Sequence, residues 1–152
     1  MKTPAKVVIV TLLVGTLGFL TEAHGPLGGF WAPSPAIPQA VGIQVPLFML
    51  LGAAEAAALG LGVSFLLFGY STLRANAPVS AGLTRAAHLS IAWVLINWWA
   101  HDSLHQHNGM DLNGLLAIEY GFHITLILAG LTLAYFFVTL VRAPSPPSAR
   151  AA

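Results

Sequence analysis

Between Asn97 and His123 the chain gathers four of its six histidines and three of its five acidic residues. His101 and His105 are four apart, so on a helix they share one face, with Asn97 four residues before them. Glu119 and His123 repeat the same spacing. Three imidazoles and a carboxylate on two helices are the donor set of a zinc, copper or iron site. His101, His105, Glu119 and His123 are therefore the expected ligands. His107, Asp102, Asp111, His24, Glu55 and Asn97 are further candidates within reach of loops or neighbouring helices.

The spacing also limits the alternatives. Glu-x-x-x-His differs from the Glu-x-x-His of di-iron bundles and occurs once, so a symmetric di-iron centre is not expected. A haem b held between His101 and His123 is the alternative cofactor. His88 and His101 are 13 residues apart, which leaves their side chains ~140° apart around a helix, so they do not form an aligned pair. The His-x-x-x-His-x-His run resembles a single histidine box of membrane desaturases and hydroxylases, whose further boxes this sequence lacks. There is no Gly-rich phosphate loop and no serine elbow. Ser103 is too near His101 and Asp102 in sequence for a hydrolase triad.

The elements that must position these groups are membrane helices. The chain has 152 residues, 57% apolar and only 7% charged, too little charge to cover a water-facing surface. Four apolar stretches, at about 4–21, 45–70, 83–105 and 114–141, are each near the ~20 residues that cross a bilayer as a helix. In lipid every backbone polar group needs an internal partner, and no alternating barrel strands are present. The expected fold is all-α: an integral membrane four-helix bundle running up-down-up-down, one domain over residues 1–143, with a disordered cytoplasmic tail at 144–152. Gly25–Val41, rich in Pro and Gly, reads as a loop, Asn76–Gly82 as a turn, and Asn108-Gly109 as the turn before the last helix. Asp111 or Asn113 can cap that helix. Small residues from Gly52 to Gly62 suit close helix packing in lipid.

Charge sets the orientation. With both termini cytoplasmic, Lys2, Lys6, Arg74, Arg85, Arg142 and Arg150 all fall inside, as the positive-inside rule requires. His24, His101, His105 and His107 then fall outside. Glu119 lies ~7 Å and His123 ~13 Å into the last helix, at the outer face, and Glu55 lies deeper. The localisation expected is a multi-pass protein of the plasma (inner) membrane. Residues 1–23 also resemble a secretory signal peptide, whose cleavage after Ala23 would leave His24 as a copper-chelating amino terminus.

Function is bounded rather than fixed by these features. A net charge of +1 without a basic run excludes nucleic acid as a partner, and the absence of cysteine excludes thiolate sites and thiol redox chemistry. Ionisable groups in a membrane cost on the order of 2.5–3.5 kcal/mol each, so they call for protonation, hydrogen bonding or a bound cation. The readings that remain are a metal site with redox or hydrolytic chemistry, haem binding, proton or metal-ion transport through Glu55, and a non-catalytic accessory subunit. Partners beyond the bilayer would be other membrane subunits or a second copy.

Overall fold

The computed structural model describes residues 3–143. The tail from Pro144, with Arg150, lies outside the described residues, as does Lys2. Four long helices carry the fold: α1 (Thr3–Thr21), α2 (Gln44–Asn76), α3 (Ala81–Asn108) and α4 (Leu112–Arg142). No strand occurs among the described residues.

Local chemistry sets the helix ends. α2 runs six residues past the expected 70 and stops where Ala77, extended at φ −111° and ψ 107°, precedes Pro78. A residue before proline is sterically kept out of the α region. The Ser80 hydroxyl caps α3 by accepting from the Leu83 N–H. α3 continues to Asn108, beyond the expected 105, and ends at Gly109, whose φ of +55° favours glycine. The Asp111 carboxylate accepts from the Asn113 and Gly114 N–H groups and so starts α4. Asp111 is thus the helix cap, and it is not among the residues whose ligand atoms converge on the histidines it was expected to join.

Each helix packs mainly on its neighbour in sequence: α1 on α2, α2 on α3, and α3 on α4. Small residues bring α1 and α2 together. A Cβ on Gly60 would stand 2.4 Å from the Thr11 carbonyl oxygen, and one on Gly15 would stand 3.2 Å from that of Ala56. The Ser64 hydroxyl pairs with Thr11 Oγ1 at 2.7 Å and with the Val7 carbonyl at 3.1 Å. Between α2 and α3, Gly62 meets Leu95 and Ile96, and His88 Nε2 donates to the Phe65 carbonyl at 2.9 Å. Trp99 reaches past α2 and donates to the Gly18 carbonyl of α1 at 3.0 Å. Between α3 and α4, Trp93 Nε1 donates to Thr125 Oγ1, and Phe136 seals the far end against Ala77 and Ala87.

The distribution of side chains is inverted relative to a water-soluble domain. The buried apolar residues are mostly alanines, with Ile118 and Phe136, whereas Leu12, Leu17, Leu50, Leu67, Ile127 and Leu131 are exposed. Close packing of small residues, with large aliphatics outside, is what a lipid solvent selects. α1, α2 and α4 are long and apolar enough to cross a membrane. α3 was expected to be a fourth such segment, but it is not among the helices that reach that hydropathy, because it carries the buried polar residues Thr84, His88, Ser90, Asn97 and Ser103. Like α2, which lies between α1 and α3, it has a neighbour on each side, α2 and α4.

Gly60→Ala should force α1 and α2 apart, since the obstructing atom belongs to the backbone. A loss of about 1–3 kcal/mol is expected, read as a lower melting temperature in detergent.

Candidate metal centre

His101 and His105 lie one turn apart on α3, their rings 4.6 Å apart and nearly perpendicular. His123 approaches from α4, with its Nε2 2.9 Å from His101 Nε2. His105 Nε2 is 3.2 Å from His101 Nε2. One ligand nitrogen from each of the three half-buried histidines lies within 4.8 Å of the other two. A tetrahedral ion with metal–nitrogen bonds of ~2.0–2.1 Å sets its ligands about 3.3 Å apart, near the 2.9 and 3.2 Å that separate His101 from the other two.

Glu119 fixes the tautomer. Its Oε2 accepts from His123 Nδ1 at 2.6 Å, on the opposite side of the ring from Nε2. With the proton on Nδ1, His123 presents a lone pair to the other rings. If neutral His101 donates from Nε2 to that lone pair, its own Nε2 has none left to accept from His105. Three neutral imidazoles therefore cannot satisfy both close contacts as good hydrogen bonds. A cation at their centre satisfies all three lone pairs. Glu119 then acts as the carboxylate that orients a metal-binding histidine, an arrangement that recurs in metal sites.

The backbone of α4 makes this geometry possible. Glu119–Ile124 forms a π-helical turn, wider than the α-helix around it. In a regular helix Phe122 and His123 point 100° apart, and only one could face α3 squarely. Here both reach α3. Phe122 stacks on Trp93 with centroids 5.9 Å apart and meets the His101 ring at 5.7 Å, while His123 meets His101 at 4.9 Å. The i, i+4 reading of Glu119 and His123 gave their proximity but not this turn, for which the sequence offers only Gly121 as a local hint.

The other candidates do not join the triad. His107 Nδ1 donates to the Trp31 carbonyl at 2.7 Å, and the Ser34 N–H donates to the Gln106 carbonyl at 2.8 Å. These bonds pin the 25–41 loop to the end of α3, next to the Trp31–Trp99 ring contact. His24 stacks on Phe48 with centroids 4.6 Å apart, and its Nδ1 lies 3.8 Å from Glu22. Asp102 and Glu55 are not among the residues whose ligand atoms converge with the three histidines. Asn97 is fully buried, and neither side-chain polar atom has a partner.

Glu22 was not anticipated as a buried group. It is 4% exposed, its carboxyl rests on Gly52 where any side chain would collide, and its Oε1 has no hydrogen-bond partner. Burial raises its pKa above the ordinary 4.5 and Asp102 adds to the rise, while the His24 backbone and ring oppose it. No family model, curated protein or solved structure matches the chain.

Two outcomes follow from this geometry. Deleting Gly121 should restore the α-helical pitch and turn His123 away from His101. Metal affinity should then fall at least about tenfold, the lower end of what displacing an orienting partner costs. Isothermal titration of the purified protein with zinc would measure it. For Glu22, a raised folded-state pKa means a stabilising contribution that is complete below pH 4.5 and is lost as pH rises through the raised value. The melting temperature of the unmodified chain should therefore fall more steeply over that window than that of Glu22→Gln. Parallel curves would show that Glu22 does not titrate on unfolding.

Proposed function

We propose that this chain is a multi-pass protein of the plasma (inner) membrane that holds one transition-metal ion at its extracytoplasmic face. The four helices run up-down-up-down with both termini in the cytoplasm, an orientation supported by the placement of the basic residues. His101, His105 and His123 supply the ligand nitrogens. The observation that carries this reading is the convergence of the three nitrogens, with the far side of His123 held by Glu119.

Neutral imidazole donors without a thiolate suit zinc, copper or iron. Structural zinc sites are usually closed by four protein ligands, whereas sites with three keep a position for water or substrate. Here the protein offers three, and the side chains of His123 and Glu119 are 38% and 57% exposed, which leaves the centre approachable. A bound ion would supply Lewis acidity and a more acidic water, the setting for hydrolytic chemistry. The chain's own contribution is positional. α3 fixes two imidazoles one turn apart, and Glu119 holds the His123 proton on Nδ1. Haem is less well supported by this geometry. Its plane would have to pass between two axial nitrogens, and those of His101 and His123 stand 2.9 Å apart.

Elemental analysis of protein purified in detergent without chelators should return about one equivalent of zinc, copper or iron and no Soret band. His101→Ala, His105→Ala and His123→Ala should each abolish stoichiometric binding. Glu119→Gln should keep the site and weaken it about 10–100-fold, the usual cost of losing an outer carboxylate. Metal-free protein, or full occupancy in the triple alanine variant, would refute the assignment.

A further inference from the structure

The end of the fold remote from the histidines carries only positive charge. Lys6 stands near the start of α1, Arg74 near the end of α2, Arg85 near the start of α3 and Arg142 at the end of α4. The five acidic residues lie elsewhere: Glu22, Asp102, Asp111 and Glu119 toward the opposite end, and Glu55 within α2. The ion pairs among the described residues, Glu22–His24 and Glu119–His123, belong to that opposite end too. Arg74 is committed to the chain itself, its guanidinium donating to the Ala77 and Val79 carbonyls. Arg85 is exposed and enters no ion pair among the described residues.

Arg85 also borders an opening. Tyr70 of α2 and Arg85, His88 and Leu89 of α3 line a cavity of about 190 Å³ between the two helices. One wall of it is held in place. His88 is 6% exposed, its Nε2 donates to the Phe65 carbonyl, and its ring lies 5.6 Å from that of Tyr70. Leu89, by contrast, is 58% exposed. It stands one turn after Arg85 on the same face, ~6 Å further along α3. The opening is therefore graded along the helix axis. Its positive charge lies toward the end of the fold and its exposed aliphatic side chain toward the middle. A phospholipid lying along a membrane helix has the same grading, with a charged headgroup at the interface and a chain directed inward. Basic openings between membrane helices on the cytoplasmic side suit anionic headgroups of this kind.

We propose that this cavity binds one anionic phospholipid of the cytoplasmic leaflet, with its phosphate on Arg85 and its chain over Leu89. A guanidinium presents a fork of N–H donors that matches the oxygens of a phosphate. A zwitterionic lipid brings its own ammonium group, which competes with Arg85 for that phosphate, so the site favours a lipid with net negative charge. Free phosphate has no chain to lay against Leu89 and the Tyr70 ring, so apolar burial favours the lipid over the bare anion. The site needs the helices to lie in a bilayer in the proposed orientation, and it does not need the metal.

Native mass spectrometry of the full-length protein in detergent, offered equal phosphatidylglycerol and phosphatidylcholine, tests it. The unmodified chain should retain one phosphatidylglycerol in preference to phosphatidylcholine. Arg85→Gln should lower that preference about fivefold, the weight of one basic contact at a membrane surface. Leu89→Trp, which fills the cavity and leaves Arg85 in place, should also lose the bound lipid. Lys6→Gln and Arg142→Gln should retain it as the unmodified chain does. Equal retention of the two lipids by the unmodified chain would overturn the proposal. So would equal losses in Lys6→Gln and Arg142→Gln, which would mark a diffuse field of the whole basic end instead of a site. Release of the lipid by excess inorganic phosphate would overturn it as well, by marking a site for the free anion. Zinc uptake should be the same in Arg85→Gln as in the unmodified chain, so the metal reading stands or falls separately.

Discussion

Helices apolar enough to cross a membrane leave few places for polar side chains, and most of the buried ones among the described residues lie on one helix, α3. A bilayer gives nothing back to an exposed hydroxyl, amide or imidazole, so such groups must face other protein. α3 has neighbours on both sides, as α2 does, and it carries most of the buried polar residues. On α1, α2 and α4 the large aliphatics face outward, while small residues of α1 and α2 meet each other. The low hydropathy of α3 reflects those polar groups, which are buried within the fold.

Consecutive residues on α3 send their chemistry in different directions. His101 turns to α4 and the other imidazoles. Asp102, one position on, does not join them, and its charge adds to the rise in the pKa of buried Glu22. A helix advances 100° per residue, so one backbone step separates a nitrogen-rich group from an oxygen-rich one. The two groups differ in what they ask of their surroundings. The imidazoles are neutral donors that converge, whereas the carboxyls are buried or half-buried among like charges.

Much of the fold was legible because membrane helices announce themselves by length and composition. The helix ends were less so. The stop at Pro78 and the caps at Ser80 and Asp111 are written in the sequence, yet the polar stretch 71–76 stays helical because no breaker comes before it. In the site, the spacing of His101 and His105 was enough to place them together. The spacing of Glu119 and His123 showed that they touch, but not that Glu119 grips the outer nitrogen of the ring. Around this pair the backbone widens into a π-helical turn, which no periodicity rule registers. His107 has the chemistry of a ligand and is used as a loop anchor, a choice made by the position of Trp31 some 76 residues earlier in the chain. Glu22 was invisible as a buried group because its burial depends on Gly52, in a different helix.

α4 leans on α3 more than on any other helix, and it is the last of the four to leave the ribosome. Before it inserts, the nascent chain can present His101 and His105 but not His123. Two imidazoles make a weak, promiscuous chelate, and the third arrives only when the final helix has docked in register. Ion capture would then wait for that docking, and the ion would tie α4 to α3.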